Sequence, residues 1–117
     1  MSQRLEDFGQ EWVAAWNAHD LERILSHYAE DIVLISPLAE KRLGVPGGRV
    51  EGKSALRVYF ARGLAALPDL KFQLLRIVPG LGSLVLEYVA ADGRHAAELM
   101  VFNDHGAVRE VRAHYAG

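Results

Sequence analysis

Between Gln3 and Ala18, the apolar residues Leu5, Phe8, Trp12, Ala15 and Trp16 recur at three- and four-residue steps. That spacing gathers side chains on one face of a helix. Asn17-Ala18-His19-Asp20 interrupts it, and Asp20 is placed to cap a short second helix with Leu21, Ile24, Leu25 and Tyr28 turned inward. From Asp31 to Ser36 the pattern becomes a β-branched apolar run, DIVLIS, which predicts a strand. Pro37 ends that strand, because its ring removes a backbone donor. Gly44, Pro46, Gly47 and Gly48 then predict an irregular hairpin or mobile loop over Leu38 to Val50, at the lip of any pocket.

Helical spacing returns from Lys53 to Leu67, with Leu56, Tyr59, Phe60, Gly63, Leu64 and Leu67 on one stripe and Pro68 closing it. Strand-like segments follow at Leu70 to Val78, Leu84 to Ala90, Arg94 to Asn103 and Ala107 to Tyr115. The turns between them are short, so these strands run antiparallel. Helices first and a meander afterwards is an α+β pattern, in which helices cover one face of a bent sheet.

Composition narrows the function. At 117 residues, 50% hydrophobic and 24% charged, the chain has the size and balance of one globular domain, spanning 1–117. A net charge of −2, with no basic run, leaves no electrostatic footprint for nucleic acid. The chain has no cysteine, so disulfides, thiolate metal sites and thiol nucleophiles are excluded. Its histidines do not form a zinc motif: His19 and His105 fall in predicted turns, and His95 and His114 on the outward strand face. His27, next to Tyr28 at the end of the second helix, is the least dismissible of the five but has no partner at zinc-motif spacing. No metal and no cofactor is therefore expected. The start MSQRLEDF lacks a secretory pattern, and no apolar run approaches the roughly 20 residues that span a bilayer, so a cytoplasmic protein without a membrane partner is expected.

Strand parity selects the candidate site. A three-residue turn at Ala91-Asp92-Gly93, with Gly93 left-handed, sets Leu86 opposite Glu98 and Tyr88 opposite Ala96. A two-residue turn would set Glu87 opposite Glu98, and like charges so placed are unfavourable by up to ~1 kcal/mol. The first register puts Leu84, Leu86, Tyr88, Ala96, Glu98, Met100 and Phe102 on one face. A four-residue turn from Asn103 to Gly106 continues that face with Arg109, Val111, Ala113 and Tyr115. With Trp12, Trp16, Tyr59 and Phe60 from the helices, these residues predict an apolar pocket containing one carboxylate. Two outcomes stay open for Glu98. Burial raises its pKa and makes it a proton donor or shuttle, or Arg109 pairs with it diagonally and lowers the pKa. The opposite face mixes Val85, Val89, Leu99 and Val101 with His95, Arg112 and His114. It is too apolar to be left in water, which predicts a homodimer through the outer face of the sheet.

Three stretches carry a resemblance. WVAAWNAHDLERILSHYAEDIVLISP, GRVEGKSALRVYF and the terminal VREVRAHY resemble the nuclear-transport-factor-2-like superfamily, the SnoaL-like and ketosteroid-isomerase-like domains, over essentially the whole chain. The resemblance implies a cone-shaped, curved antiparallel sheet wrapped by helices and enclosing a pocket. It does not imply an activity, because the superfamily includes isomerases, cyclases, dehydratases, epoxide hydrolases and non-enzymes. By comparison with ketosteroid isomerases, Glu98 falls where that family keeps a hydrogen-bonding carboxylic acid. Trp12 falls where it keeps a tyrosine, and Ser36 where it keeps an aspartate base. A serine without an activating partner does not abstract a carbon-bound proton, so that isomerase mechanism is not expected.

Two readings follow. The first is a cofactor-free acid–base enzyme of the isomerase, cyclase or dehydratase type, acting on a small apolar or amphipathic molecule. Glu98 would be its acid or base, Tyr28 or Tyr88 would orient the substrate, and Ser36 would add a hydrogen bond. The second is a non-catalytic ligand-binding or dimerisation module. An epoxide hydrolase of the limonene type is a weaker enzyme reading, since Glu98 and Arg109 supply a pair but no second inward acid is evident.

Overall fold

The computed structural model describes residues 2–117. Helix α1 (Ser2–Asn17) and the short α2 (Leu21–Leu25) lead into β1 (Tyr28–Ile35) and α3 (Pro37–Leu43). A single 3-10 turn (Pro46–Gly48), β2 (Arg49–Glu51) and α4 (Lys53–Ala66) come next. The chain ends with β3 (Gln73–Pro79), β4 (Ser83–Val89), β5 (His95–Phe102) and β6 (Val108–Tyr115). The strands form one curved, unclosed sheet in the order β2-β1-β6-β5-β4-β3. The meander β3 to β6 is antiparallel as expected, whereas β1 lies parallel to β6. None of the described helices is long and apolar enough to cross a membrane.

Helix α1 packs on β3 and α4 on β1, so the two long helices close over opposite ends of the same sheet face. The α1 stripe buries Trp12, Ala15 and Trp16, with Leu5 and Phe8 packed at its edge. Gly9 allows the approach to β3: a Cβ there would lie 2.2 Å from Ile77 Cδ1. At the α1–α2 corner His19 takes a left-handed φ of 56°, and Asp20 accepts a hydrogen bond from the Arg23 amide as the cap of α2. That helix stops at Leu25. Tyr28, expected at its inward end, instead opens β1 and is buried there.

The segment Leu38 to Val50 corrects the expected loop. It is helix α3, the 3-10 turn and β2 in close succession. Ser36 is the N-cap, its hydroxyl accepting from the Leu38 amide at 3.2 Å, and Pro37 follows at the first helical position. A proline is pre-organised for a helix start there, since its missing N–H would be unpaired in any case. Gly44 ends α3 with a φ of 67°, and Glu40 accepts from the Gly47 amide at 3.0 Å. The glycines and the proline thus close a short helix, making a wall where a flexible lip was expected.

In the meander, buried and half-exposed residues alternate along β4 and β5, and Leu86 pairs with Glu98 and Tyr88 with Ala96. The turn has Gly93 at a φ of 87°, as the charge argument requires. The β5–β6 ladder departs from expectation beyond Val101. Val101 pairs with Glu110 but Phe102 pairs with Val108, so Arg109 is the extra residue of a bulge. Val108 takes the inward position and Arg109 is exposed. The Arg109–Glu98 pair is thereby ruled out: the bulge turns the arginine to solvent while Glu98 stays inside.

Candidate functional site

Under α1 and α4 the sheet encloses a cavity of about 170 Å³, open at one end. An engineered cavity of roughly 150 Å³ accepts benzene, so this one has room for about one ring or a short chain. Its walls are aromatic. Trp12 stacks on Phe72 at 5.7 Å with 13° between the planes, and Trp16 meets Phe60 edge-on at 4.8 Å. Tyr88 contacts both Trp12 and Phe72.

Glu98 lies at the buried end. It is 6% exposed, and its Oε2 accepts a hydrogen bond from the Tyr88 hydroxyl. The register explains the reach. Ala96 stands opposite Tyr88 and Ala113 opposite Glu98, and these small side chains leave room for phenol and carboxyl to meet. Burial pushes the Glu98 pKa up to about 7, and donation from Tyr88 holds it back from rising further. Among the described residues no cation forms an ion pair with it. Of the two outcomes open in the sequence, desolvation prevails.

Further hydroxyls cluster beside this pair. That of Tyr115 adjoins those of Tyr88 and Ser36, and that of Tyr59 adjoins Ser36. Burial, assisted by the nearby Glu98, pushes all three phenols above their ordinary pKa, so they remain protonated donors at neutral pH. The Ser36 hydroxyl accepts from the Leu38 amide as the cap of α3 and also bonds within the cluster, to Tyr59 and Tyr115. The Trp16 indole N–H is buried without an acceptor, an arrangement that costs roughly 1–3 kcal/mol.

Charge appears at the mouth. Asp92 and Arg94 pair at 2.7 Å, with the Arg94 guanidinium 5.1 Å from the Tyr115 ring centre. Arg42, half-buried on α3, lines the opening as well.

The structure gathers Ser36, Glu98, Trp12, Trp16, Tyr59, Phe60, Tyr88 and Tyr115 around the cavity as the sequence predicts. The other predicted residues lie elsewhere. Leu86, Met100 and Val111 face inward but are sealed in the core, 0% exposed, and do not line the cavity. Phe102 packs edge-on against Phe8 at 5.1 Å. Arg109 points outward on the bulge. Tyr28 is buried away from the lining, and its hydroxyl accepts from Trp12 Nε1 at 2.8 Å, a packing role in place of the expected substrate contact. Sequence reasoning missed Phe72, Arg42 and Arg94. The Ser36-Pro37 helix start was the available signal for Arg42, because it predicts a helix over the segment that carries it.

A bent sheet and covering helices enclose an aromatic-walled cavity with one buried carboxylate in its lining, in an α+β domain. The SnoaL-like domain model matches residues 10–116, and the chain belongs to that family. No curated protein matches it. Among solved structures, a SnoaL-like protein of unknown function from Burkholderia thailandensis is 38% identical, with a TM-score of 0.97 over 100% of this chain and 98% of its own. AclR of Streptomyces galilaeus, described as a candidate hydroxylase, is 25% identical, with a TM-score of 0.74 over 97% of this chain and 90% of its own. A candidate isomerase of the SnoaL-like family from Agrobacterium tumefaciens is 20% identical and shares the fold, with a TM-score of 0.76 and complete coverage of both chains.

Proposed function

We propose that the protein is a cofactor-free acid–base enzyme of the isomerase, cyclase or dehydratase type. Its substrate is a small, mostly apolar carbonyl compound, and Glu98 is the group that moves the proton. The observation that carries this reading is a buried carboxyl in the lining of a cavity, bonded among the described residues only to a tyrosine hydroxyl. A group whose pKa lies near 7 is about equally ready to take and to return a proton at neutral pH.

In the reaction, the Glu98 carboxylate takes a proton from carbon next to the carbonyl. The C–H electron pair moves into the new carbon–carbon double bond, and the carbonyl pair moves to oxygen, giving an enolate. A hydroxyl of Tyr115, Tyr59 or Ser36 donates to that oxygen. Where the substrate carries a β,γ double bond the enolate is a dienolate, and return of the proton from Glu98 to its γ carbon shifts the double bond and completes an isomerisation. Its transfer to a departing β-hydroxyl completes a dehydration with release of water. Attack of the enolate carbon on a second carbonyl closes a ring, the C=O pair moves to that oxygen, and the new alkoxide takes the proton back from Glu98. Here Glu98 does the work that ketosteroid isomerases give to an aspartate at the position of Ser36.

Hydrogen–deuterium exchange next to the carbonyl of one-ring ketones, followed by NMR in D₂O, tests the reading without knowledge of the natural substrate. Wild type should accelerate exchange for at least one ketone of the set, and Glu98→Gln should lose on the order of 10²-fold or more of that rate while remaining folded. Exchange unaffected by Glu98→Gln would overturn the assignment. Binding without acceleration for any ketone would favour a non-catalytic pocket.

A further inference from the structure

The mouth of the cavity carries a charge that the acid–base reading does not use. Arg42 lines the opening from α3 and is in none of the ion pairs formed among the described residues. The two neighbouring charges at the mouth satisfy each other. Arg94 holds Asp92 through its backbone amide at 3.1 Å and its Nε at 2.7 Å, and that keeps the Asp92 carboxyl below its ordinary pKa. Arg42 is therefore the uncompensated charge at an otherwise neutral rim.

Its position is also prepared. The guanidinium rests against Gly63, where a Cβ would stand 3.2 Å from Nη1. Gly63 is buried inside α4, where a glycine is less favourable than an alanine. The missing side chain gives the guanidinium space beside the cavity. A planar fork of donors, half-shielded from water and without a carboxylate of its own, matches a bidentate anion.

We propose that Arg42 is an anion subsite at the mouth of this pocket and that the ligand is a small amphipathic acid. The acid is about one ring or a short chain in size, with its carboxylate on Arg42 and its apolar body among Trp12, Trp16 and Phe72. This rests on the pocket reading above and adds the chemical class of the ligand. It also gives the ligand a direction, with the charged end held at the rim and the reactive end toward Glu98.

Tryptophan fluorescence follows binding directly, because Trp12 and Trp16 form the wall. The probes are 3-phenylpropanoate and 3-phenylpropan-1-ol, which share a skeleton and differ in the anionic end. Wild type should bind the acid about tenfold or more tighter than the alcohol, the range for a hydrogen bond to a charged group, and added salt should shrink the difference. Arg42→Gln should erase the preference by weakening acid binding far more than alcohol binding, and Arg42→Lys should retain part of it. Equal affinities in wild type, or a preference that survives Arg42→Gln, would overturn the Arg42 assignment while leaving the pocket standing. Failure of both probes to bind would overturn the pocket reading and this inference with it.

Discussion

Asn17, the last residue of α1, holds Phe72 by both of its backbone groups. Its Nδ2 donates to the Phe72 carbonyl at 3.0 Å, and its Oδ1 accepts from the Phe72 amide at 2.7 Å. The His19 ring bonds to the Leu70 carbonyl at 2.9 Å in the same stretch. These contacts fasten the segment before β3 to the end of α1 and seat the Phe72 ring between Trp12 and Tyr88. A short polar run that reads in the sequence as a helix breaker thus builds one wall of the cavity.

Asn17→Ala removes both bonds and leaves two part-buried backbone groups unpaired. A loss of about 1–3 kcal/mol is expected in urea denaturation, with weaker binding of one-ring ligands as Phe72 loosens. Unchanged stability together with unchanged ligand affinity would contradict the role given to Asn17.

Glu98 links stability to pH. Its folded pKa of about 7 lies above the ordinary 4.5, so the native state holds the proton more tightly than the unfolded chain does. The stability associated with this group is complete below the unfolded value and is lost as pH rises through about 7, by on the order of 3 kcal/mol. Glu98→Gln cannot ionise and escapes that loss. Relative to wild type, the variant should gain stability between about pH 5 and about pH 8 in urea melts. A difference between the two proteins that does not change with pH would mean that Glu98 titrates normally.

Ser36 is both the cap of α3 and part of the cavity wall. Ser36→Ala should cost about 0.5–2 kcal/mol through the lost cap, read most clearly as faster amide exchange in α3. Retained protection across α3 would show that the helix is held by packing alone.

We also propose that the outer face of the sheet forms a homodimer. Val85, Val89, Leu99 and Val101 are half-exposed there beside the exposed His95, Arg112 and His114. Light scattering at micromolar concentration should give twice the mass of the chain, and Leu99→Glu should shift it toward the monomer. A monomeric mass for wild type would contradict the use assigned to this face.

The legible parts of the fold were those where a side chain had only one tolerable place. Glu87 and Glu98 cannot face each other cheaply, and Gly93 suits a left-handed turn, so the β4–β5 register followed from charge and backbone freedom together. The bulge at Arg109 was not legible. A turn from Asn103 to Gly106 fits a regular and a bulged ladder equally well, and the bulge is set by how β6 lies between β5 and β1. Helix α3 was hidden for a different reason. Gly44, Pro46 and Gly47 mark chain reversals without saying what lies between them, and Pro37 ends a strand as readily as it opens a helix. Arg42 stayed out of sight with it. Tyr28 was misplaced because helix α2 ends at Leu25, sooner than its apolar spacing suggested.

Burial holds the pKa of the Glu98 carboxyl near neutrality, where the proposed proton transfer needs it. A ¹³C NMR titration of its side-chain carboxyl, assigned by comparison with Glu98→Gln, measures this without any substrate. The midpoint should lie near 7. It should rise further in Tyr88→Phe, because the lost hydroxyl favours the ionised form. A midpoint at or below the ordinary carboxylate value of 4.5 would show a solvated or ion-paired group and contradict the role proposed for Glu98.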